Sequence, residues 1–214
     1  MKRIQPYLLA TALGLLPPLL AGCFPVVATG VASGALMIAD RRSTGAYVDD
    51  EAIEWKVEDK IKARFGDRAH VNATSYNRTV LLTGEVPDQA ARDEAGRLAG
   101  EISNVKGIVN ELRATGVSSL SERSNDTYIT SKVKARFLDS QRFSVNAVKV
   151  VTEAGVCYLL GIVTQGEADA ATEVARTTSG VLKVVRVFEI VSGDTARQLD
   201  TRPAEQKTSG SPAK

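Results

Sequence analysis

The segment Val133-Lys134-Ala135-Arg136-Phe137 nearly restates Ile61-Lys62-Ala63-Arg64-Phe65, which lies 72 residues earlier. An internal repeat constrains the fold strongly, because self-similarity at one spacing means one supersecondary unit built twice. Two further landmarks repeat. Val80-x-Leu82-x-Gly84-x-Val86 matches Cys157-x-Leu159-x-Gly161-x-Val163 at an offset of 77, and Val105-x-x-Ile108-Val109 matches Val181-x-x-Val184-Val185 at 76. The growth of the offset from 72 to 77 places insertions between the first helix and the strand pair.

Each unit reads as α-β-β-α-β. In the first, Ile53, Val57, Ile61 and Phe65 recur every four residues as a helical stripe. Asp49-Asp50-Glu51 put negative charge where a helix N-terminus favours it. Gly66-Asp67 ends this helix. Residues 71–74 and 79–83 pair as strands around a turn at Tyr76-Asn77-Arg78. Pro87-Asp88 opens a second helix with Ala91, Ala95, Leu98, Ala99 and Ile102 inward, and 108–113 is the closing strand. The second unit repeats the order with a helix over 126–138, strands over 145–151 and 156–162, a helix over 167–178 and a strand over 183–191. The expected fold class is α+β: two tandem units, each a three-stranded mixed sheet with two helices on one face. Units this small gain by packing on each other. Cys157, opposite Val80, is expected on the inward face of its strand.

Ahead of the repeat, Lys2 and Arg3 precede a short apolar run, from Tyr7 to Leu20, interrupted by Gly14 and Pro17-Pro18. That run is too short and too broken to span a bilayer and reads as an export signal. Leu20-Ala21-Gly22-Cys23 then resembles a bacterial lipobox, implying cleavage after Gly22, diacylglycerol on the Cys23 thiol and an N-acyl chain on the new amine. Dual acylation anchors stably where a single chain does not. Phe24, rather than Asp, after the cysteine resembles an outer-membrane sorting signal. The expected division is a signal peptide over 1–22, a lipidated tether over 23–48, domains over 49–115 and 124–191 joined by a linker over 116–123, and a disordered tail over 192–214. The tail is polar and carries almost no bulky apolar residues.

Composition removes several functions. Net charge is +2, and loss of Lys2 and Arg3 with the signal brings the formal balance to zero. A nucleic-acid binder carries a strongly basic domain, so no nucleic-acid partner is expected. His70 is the only histidine, which rules out a His-rich metal site and leaves a His-based triad resting on one residue. No P-loop or G-x-G-x-x-G fingerprint is present. No enzyme, no cofactor beyond the acyl chains on Cys23, and no metal are expected. With Cys23 lipidated, Cys157 has no partner for a disulfide and reads as a core residue.

The two first helices differ in charge. Residues 49–65 hold the acids Asp49, Asp50, Glu51, Glu54, Glu58 and Asp59 against Lys56, Lys60, Lys62 and Arg64. Residues 125–138 hold only Asp126 against Lys132, Lys134 and Arg136. Each base near an anionic membrane contributes roughly 1 kcal/mol of attraction. Tyr128, Lys132 and Arg136 share one edge beside the buried stripe of Ile129, Val133 and Phe137, and Leu138 joins the exposed side. From composition alone, an ordinary solvated face is the commoner explanation of such an edge. Trp55 falls opposite Thr127 in the alignment and outside its own helix's buried stripe.

The double α-β-β-α-β order, the glycines ending the second strands, the closing Val-x-x-Val/Ile strands, the lipobox and the segment Ser124-Asn125-Asp126-Thr127-Tyr128-Ile129-Thr130-Ser131-Lys132-Val133 together resemble the BON-domain family, in particular its dual-BON outer-membrane lipoproteins. The resemblance covers residues 1 to about 191. It implies a protein facing the periplasm, without catalysis, that binds anionic phospholipid (phosphatidylglycerol, cardiolipin) through the first helix of its second BON domain. It also implies a role in envelope integrity and a presence at division sites. The lipid-binding residues it implies here are Tyr128, Lys132, Lys134, Arg136 and Leu138. Tyr128 stands where these relatives carry Trp; both are interfacial aromatics. The competing reading is a lipid-tethered interaction module for envelope-assembly or peptidoglycan-remodelling proteins.

Overall fold

The computed structural model describes residues 40–115 and 120–202; Cys23, the signal and most of the tether lie outside them. The first unit runs α1 (Thr44–Phe65), β1 (His70–Tyr76), β2 (Thr79–Val86), α2 (Gln89–Gly100), β3 (Gly107–Asn110) and a short β4 (Arg113–Ala114). The second runs α3 (Leu120–Ser140), β5 (Val148–Glu153), β6 (Val156–Val163), α4 (Gln165–Arg176) and β7 (Lys183–Ile190), followed by α5 (Gly193–Asp200). In each unit the second strand is central, antiparallel to its hairpin partner and parallel to the last strand. A parallel pair needs a crossover, which α2 and α4 supply. β4 continues the β3 edge along β2. The α+β reading of two mixed sheets, each with two helices on one face, describes the fold.

Alternation along the central strands sets two faces. Val80, Leu82 and Val86 pack under α1 and α2 with Ile53, Val57, Ile61, Phe65, Ala95 and Leu98. Cys157, Leu159 and Val163 pack under α3 and α4 with Ile129, Val133, Phe137 and Val174. Burial pushes the Cys157 thiol up to about 12, against the pull of Thr152, so it is a neutral core side chain at physiological pH. At Gly84 a Cβ would stand 2.1 Å from the His70 carbonyl oxygen, and at Gly161 2.2 Å from that of Ala147. The repeated glycine is therefore where the neighbouring strand backbone comes too close for a side chain.

The opposite faces of the two sheets meet. Tyr76 and Leu81 of the first unit share one buried cluster with Tyr158, Leu160 and Ile162 of the second. Around it, Lys149 Nζ pairs with Glu54 at 2.8 Å, Asn72 Nδ2 donates to Glu153 at 3.1 Å, and Asn77 Nδ2 donates to Glu189 at 2.7 Å.

Burial raises the Glu153 carboxyl above its ordinary range. The carboxylates of Glu85 and Asp126 push the same way, while Asn72 and His70 pull against them. The folded chain therefore holds this proton more tightly than the unfolded chain. Stability should fall as pH rises through the window between the ordinary carboxylate value and the raised one. Glu153→Gln, which keeps an oxygen for Asn72, is expected to flatten that decline in urea midpoints taken between about pH 4 and 8. An unchanged slope would assign the dependence elsewhere.

Three expectations are corrected. First, α1 begins at Thr44, inside the expected tether, where Ser43 Oγ accepts from the Ala46 N–H at 3.0 Å. Asp49-Asp50-Glu51 thus lie in its second turn and do not complement its N-terminus.

Second, the repeat register on the first helices is 76, not 72. Ile53, Val57 and Ile61 occupy the places of Ile129, Val133 and Phe137, which puts Trp55 opposite Ser131 rather than Thr127. The five-residue echo is displaced by about one helical turn, and a shift of four residues keeps the same face inward.

Third, residues 193–200, expected to be disordered, form α5. Ser192 caps it by accepting from the Thr195 N–H, Ala196 is buried, and Leu199 packs on the inter-sheet cluster. The tail beyond 202 lies outside the described residues, as do 116–119 of the linker; α3 starts at Leu120, within the remainder of that linker.

Candidate functional site

α3 is held to its own sheet by one buried carboxylate. Asp126 accepts from the N–H groups of Ala154 and Gly155 at 2.7 and 2.8 Å, tying the β5–β6 turn to the helix. α1 carries the same device. Asp50 accepts from the N–H groups of Asn77 and Arg78, from the Ser75 hydroxyl and from the Arg42 guanidinium, all at 2.7 to 2.8 Å. Below Asp126 the stripe of Ile129, Val133 and Phe137 is buried, and Phe137 meets Phe143 edge-on with ring centroids 4.9 Å apart.

The five residues singled out from sequence divide between two borders of α3. Tyr128, Lys132 and Arg136 follow one border, beside α4. Lys132 Nζ lies 4.6 Å from the centroid of the Tyr128 ring, within cation–π range, and donates to the Ser179 carbonyl. Arg136 Nη1 donates to the Val174 carbonyl at 3.1 Å and to Thr178 Oγ1 at 2.9 Å. Cations are favoured at such a helix C-terminus. Arg136 thus holds α3 to α4, a structural task that the sequence did not disclose.

Lys134 and Leu138 follow the opposite border, in a groove shared with Asp40, Arg42, Tyr76, Val148 and Lys149. Between the borders runs an outward ridge of Ser124, Thr127, Ser131 and Ala135, all exposed. Tyr128 and Leu138, each 62% exposed, flank it as its two bulky apolar side chains.

The chain enters the described body at this groove. Asp40 and Arg42 line it, and the adjacent arginines go separate ways. Arg42 packs between the rings of Tyr47 and Tyr76, at 4.8 and 4.3 Å, and pairs with Asp40 and Asp50 in the first unit. Arg41, 4% exposed, crosses to the second. It pairs with Glu167 at 2.7 Å and Asp200 at 2.8 Å and donates to the Ile162 carbonyl at 2.9 Å. Burial acts to raise the Glu167 carboxyl, but Arg41 and the Thr164 N–H outweigh it and hold it below the ordinary range.

The acids of α1 are largely occupied. Beside Asp50, Asp49 pairs with Arg78, Glu54 accepts from the Ser75 N–H, and Glu58 accepts from the Ala73 N–H. What reads in sequence as a negative face is mostly a set of acceptors for the exposed backbone and turn of β1. Trp55 stands outside this set, 68% exposed, at a groove of about 470 Å³ with Glu58, Asp59, Lys62 and Asp67.

The chain matches the BON domain over residues 49–116 and again over 125–192. It belongs to the BON-domain family. The two BON matches are themselves offset by 76, the register of the buried stripes. The chain is 40% identical over 172 residues to the "Outer membrane lipoprotein DolP" of Haemophilus influenzae, covering 79% of this chain and 89% of that one. It is 37% identical over 154 residues to the "21 kDa hemolysin" of Actinobacillus pleuropneumoniae, covering 71% and 79%. It is 30% identical over 164 residues to the "Osmotically-inducible protein Y" of Escherichia coli K12, covering 73% and 80%. Among the described residues of the two BON domains, no helix is long and apolar enough to cross a membrane, and no group of three His, Cys, Asp or Glu is placed to hold a metal ion.

Proposed function

We propose that this protein is an outer-membrane lipoprotein, held by acyl chains on Cys23 and facing the periplasm, whose second BON domain rests α3 on anionic phospholipid. In this reading it is a non-catalytic binding module that supports envelope integrity, including at division sites. The observation that carries the lipid reading is the pair Tyr128 and Leu138, both exposed on either side of a ridge of small side chains. Lys132 stands beside the first and Lys134 on the border of the second. An amphipathic surface of this kind binds by apolar insertion plus attraction to anionic headgroups.

The chain's point of entry supports the same face. Residues 24–39 separate Cys23 from Asp40 and can span at most about 55 Å. An anchor that close gives α3 a high effective concentration at the bilayer, so weak intrinsic affinity suffices.

The mature chain carrying Cys23→Ser should co-sediment with phosphatidylglycerol or cardiolipin vesicles and not with phosphatidylcholine alone. Tyr128→Ala and Leu138→Glu should each weaken binding by about tenfold, and Lys134→Glu by about fivefold. Arg136→Glu should act mainly by lowering stability, because its guanidinium is engaged with Val174 and Thr178. Equal binding by all the α3 variants would remove this site.

A second reading is favoured by Trp55: a lipid-tethered platform for envelope-assembly or peptidoglycan-remodelling proteins, docking on α1. Co-purification that survives the α3 substitutions and is lost with Trp55→Ala would establish it.

A further inference from the structure

Leu182 is 82% exposed, more than any other large apolar side chain among the described residues. It lies between α4 and β7, next to Val181, which packs into the second core. Its position is fixed. The Leu182 N–H donates to the Gly155 carbonyl at 2.9 Å, and its side chain lies over Gly155, where a Cβ would come within 2.8 Å of Leu182 Cδ1. The same turn is tied to α3 through Asp126. The loop is tied to α3 a second time, through Lys132 Nζ on the Ser179 carbonyl. Gly180 abuts Ile129 and Lys132. Leu182 is therefore a fixed projection beside the Tyr128 border of α3.

The first unit supplies an internal comparison. At the equivalent place stands Lys106, whose N–H donates to the Arg78 carbonyl as that of Leu182 donates to Gly155. The next residue is Gly107 in the first unit and Lys183 in the second, and the place of Tyr128 is taken by Ala52. On one scaffold, the second unit has thus put two bulky apolar groups and a lysine on the edge where the first has a lysine, a glycine and an alanine. Packing does not account for the difference, since Tyr128, Leu182 and Lys183 are all exposed.

We propose that the loop from Ser179 to Lys183 is a second membrane-inserting element, with Leu182 entering the acyl region of an anionic bilayer alongside Tyr128 while Lys132 and Lys183 meet the headgroups. This rests on the lipid reading above and extends it from one helix to a helix and a loop. The occupant is an anionic lipid surface because each exposed apolar tip has a lysine beside it, Lys183 next in chain to Leu182 and Lys132 over the Tyr128 ring, which matches a hydrocarbon layer under a negative headgroup layer.

The test uses the mature chain carrying Cys23→Ser and vesicles of phosphatidylglycerol and phosphatidylcholine in equal parts. Leu182→Glu is expected to lower binding by about tenfold with an unchanged melting temperature, since the side chain is outside the core. Leu182→Trp, in a Trp55→Phe background, should give a blue-shifted emission on vesicle addition that brominated acyl chains quench. Binding that is weakened by Tyr128→Ala, unaffected by Leu182→Glu and accompanied by an unquenched tryptophan overturns the loop alone. Failure of the unaltered loop and helix to bind these vesicles overturns both readings.

Discussion

Asp50→Ala should be among the most damaging single substitutions in the first BON domain, costing about 3–5 kcal/mol in denaturant unfolding, the range for removing one partner of a buried charged network. The carboxylate is 1% exposed and serves two backbone N–H groups, one hydroxyl and the Arg42 guanidinium. Its loss strands the N–H groups of Asn77 and Arg78 and the Ser75 hydroxyl, and takes from Arg42 one of its two carboxylate partners, Asp40 being the other. Asp50→Asn should recover only part, because an amide offers one acceptor oxygen where four donors converge. Asp126→Ala provides the internal control. That carboxylate also caps a hairpin turn, but for two backbone donors, so its loss should cost less, about 1–3 kcal/mol. Equal costs at the two positions would mean that the Arg42 and Ser75 bonds add nothing.

Arg41→Ala is expected to be nearly as costly, about 2–3 kcal/mol, and to lower the melting temperature by roughly 4–12 °C. The cost lies at the low edge for buried pairs because the Asp200 side chain is 44% exposed and can be resolvated. The effect should be regional. Amide exchange should quicken in α5, whose Asp200 loses its partner, and at the start of α4, where Glu167 also closes the capping box with Thr164. Arg41→Lys should fall between, since a single ammonium cannot present two forked edges to two carboxylates. A melting temperature within a degree or two of the unaltered chain, with α5 still protected, would show that the inter-sheet cluster and the polar pairs around it hold the units together without Arg41.

These contacts mark the boundary of what the sequence discloses. The alternation in Val80-Leu81-Leu82 and in Cys157-Tyr158-Leu159-Leu160, with Gly84 and Gly161 closing each run, is enough to set strands, faces and order. Helical periodicity likewise identifies the buried stripe of α3, and with it the exposure of Tyr128 and Leu138. It cannot fix the register between copies, because a displacement of one turn returns the same face. The echo of Lys-Ala-Arg-Phe therefore misaligned Trp55.

The roles of Asp50 and Asp126 depend on a turn about 28 residues away in chain, meeting a helix face in space. In sequence both are simply acids near a helix start. α5 is illegible in sequence for a related reason. Its apolar contribution is little more than Ala196 and Leu199, too few to signal order, and its other tie is an arginine 159 residues away. Charge makes Lys132 and Arg136 candidate membrane bases, and the family resemblance is what favours that role over a solvated face. Only the structure shows that each already has a carbonyl to serve.

The division of labour between Arg41 and Arg42 also has a mechanical side. If the protein hangs from acyl chains at Cys23, any tug from the periplasm reaches the body through Asp40 and is divided at once. One arginine passes load to α1 and its hairpin, the other to α4, the β6 carbonyl of Ile162 and α5. Neither BON domain can then be peeled away alone, since the strap is riveted to both sides of their seam. A chain fastened in this way would resist shear as one piece.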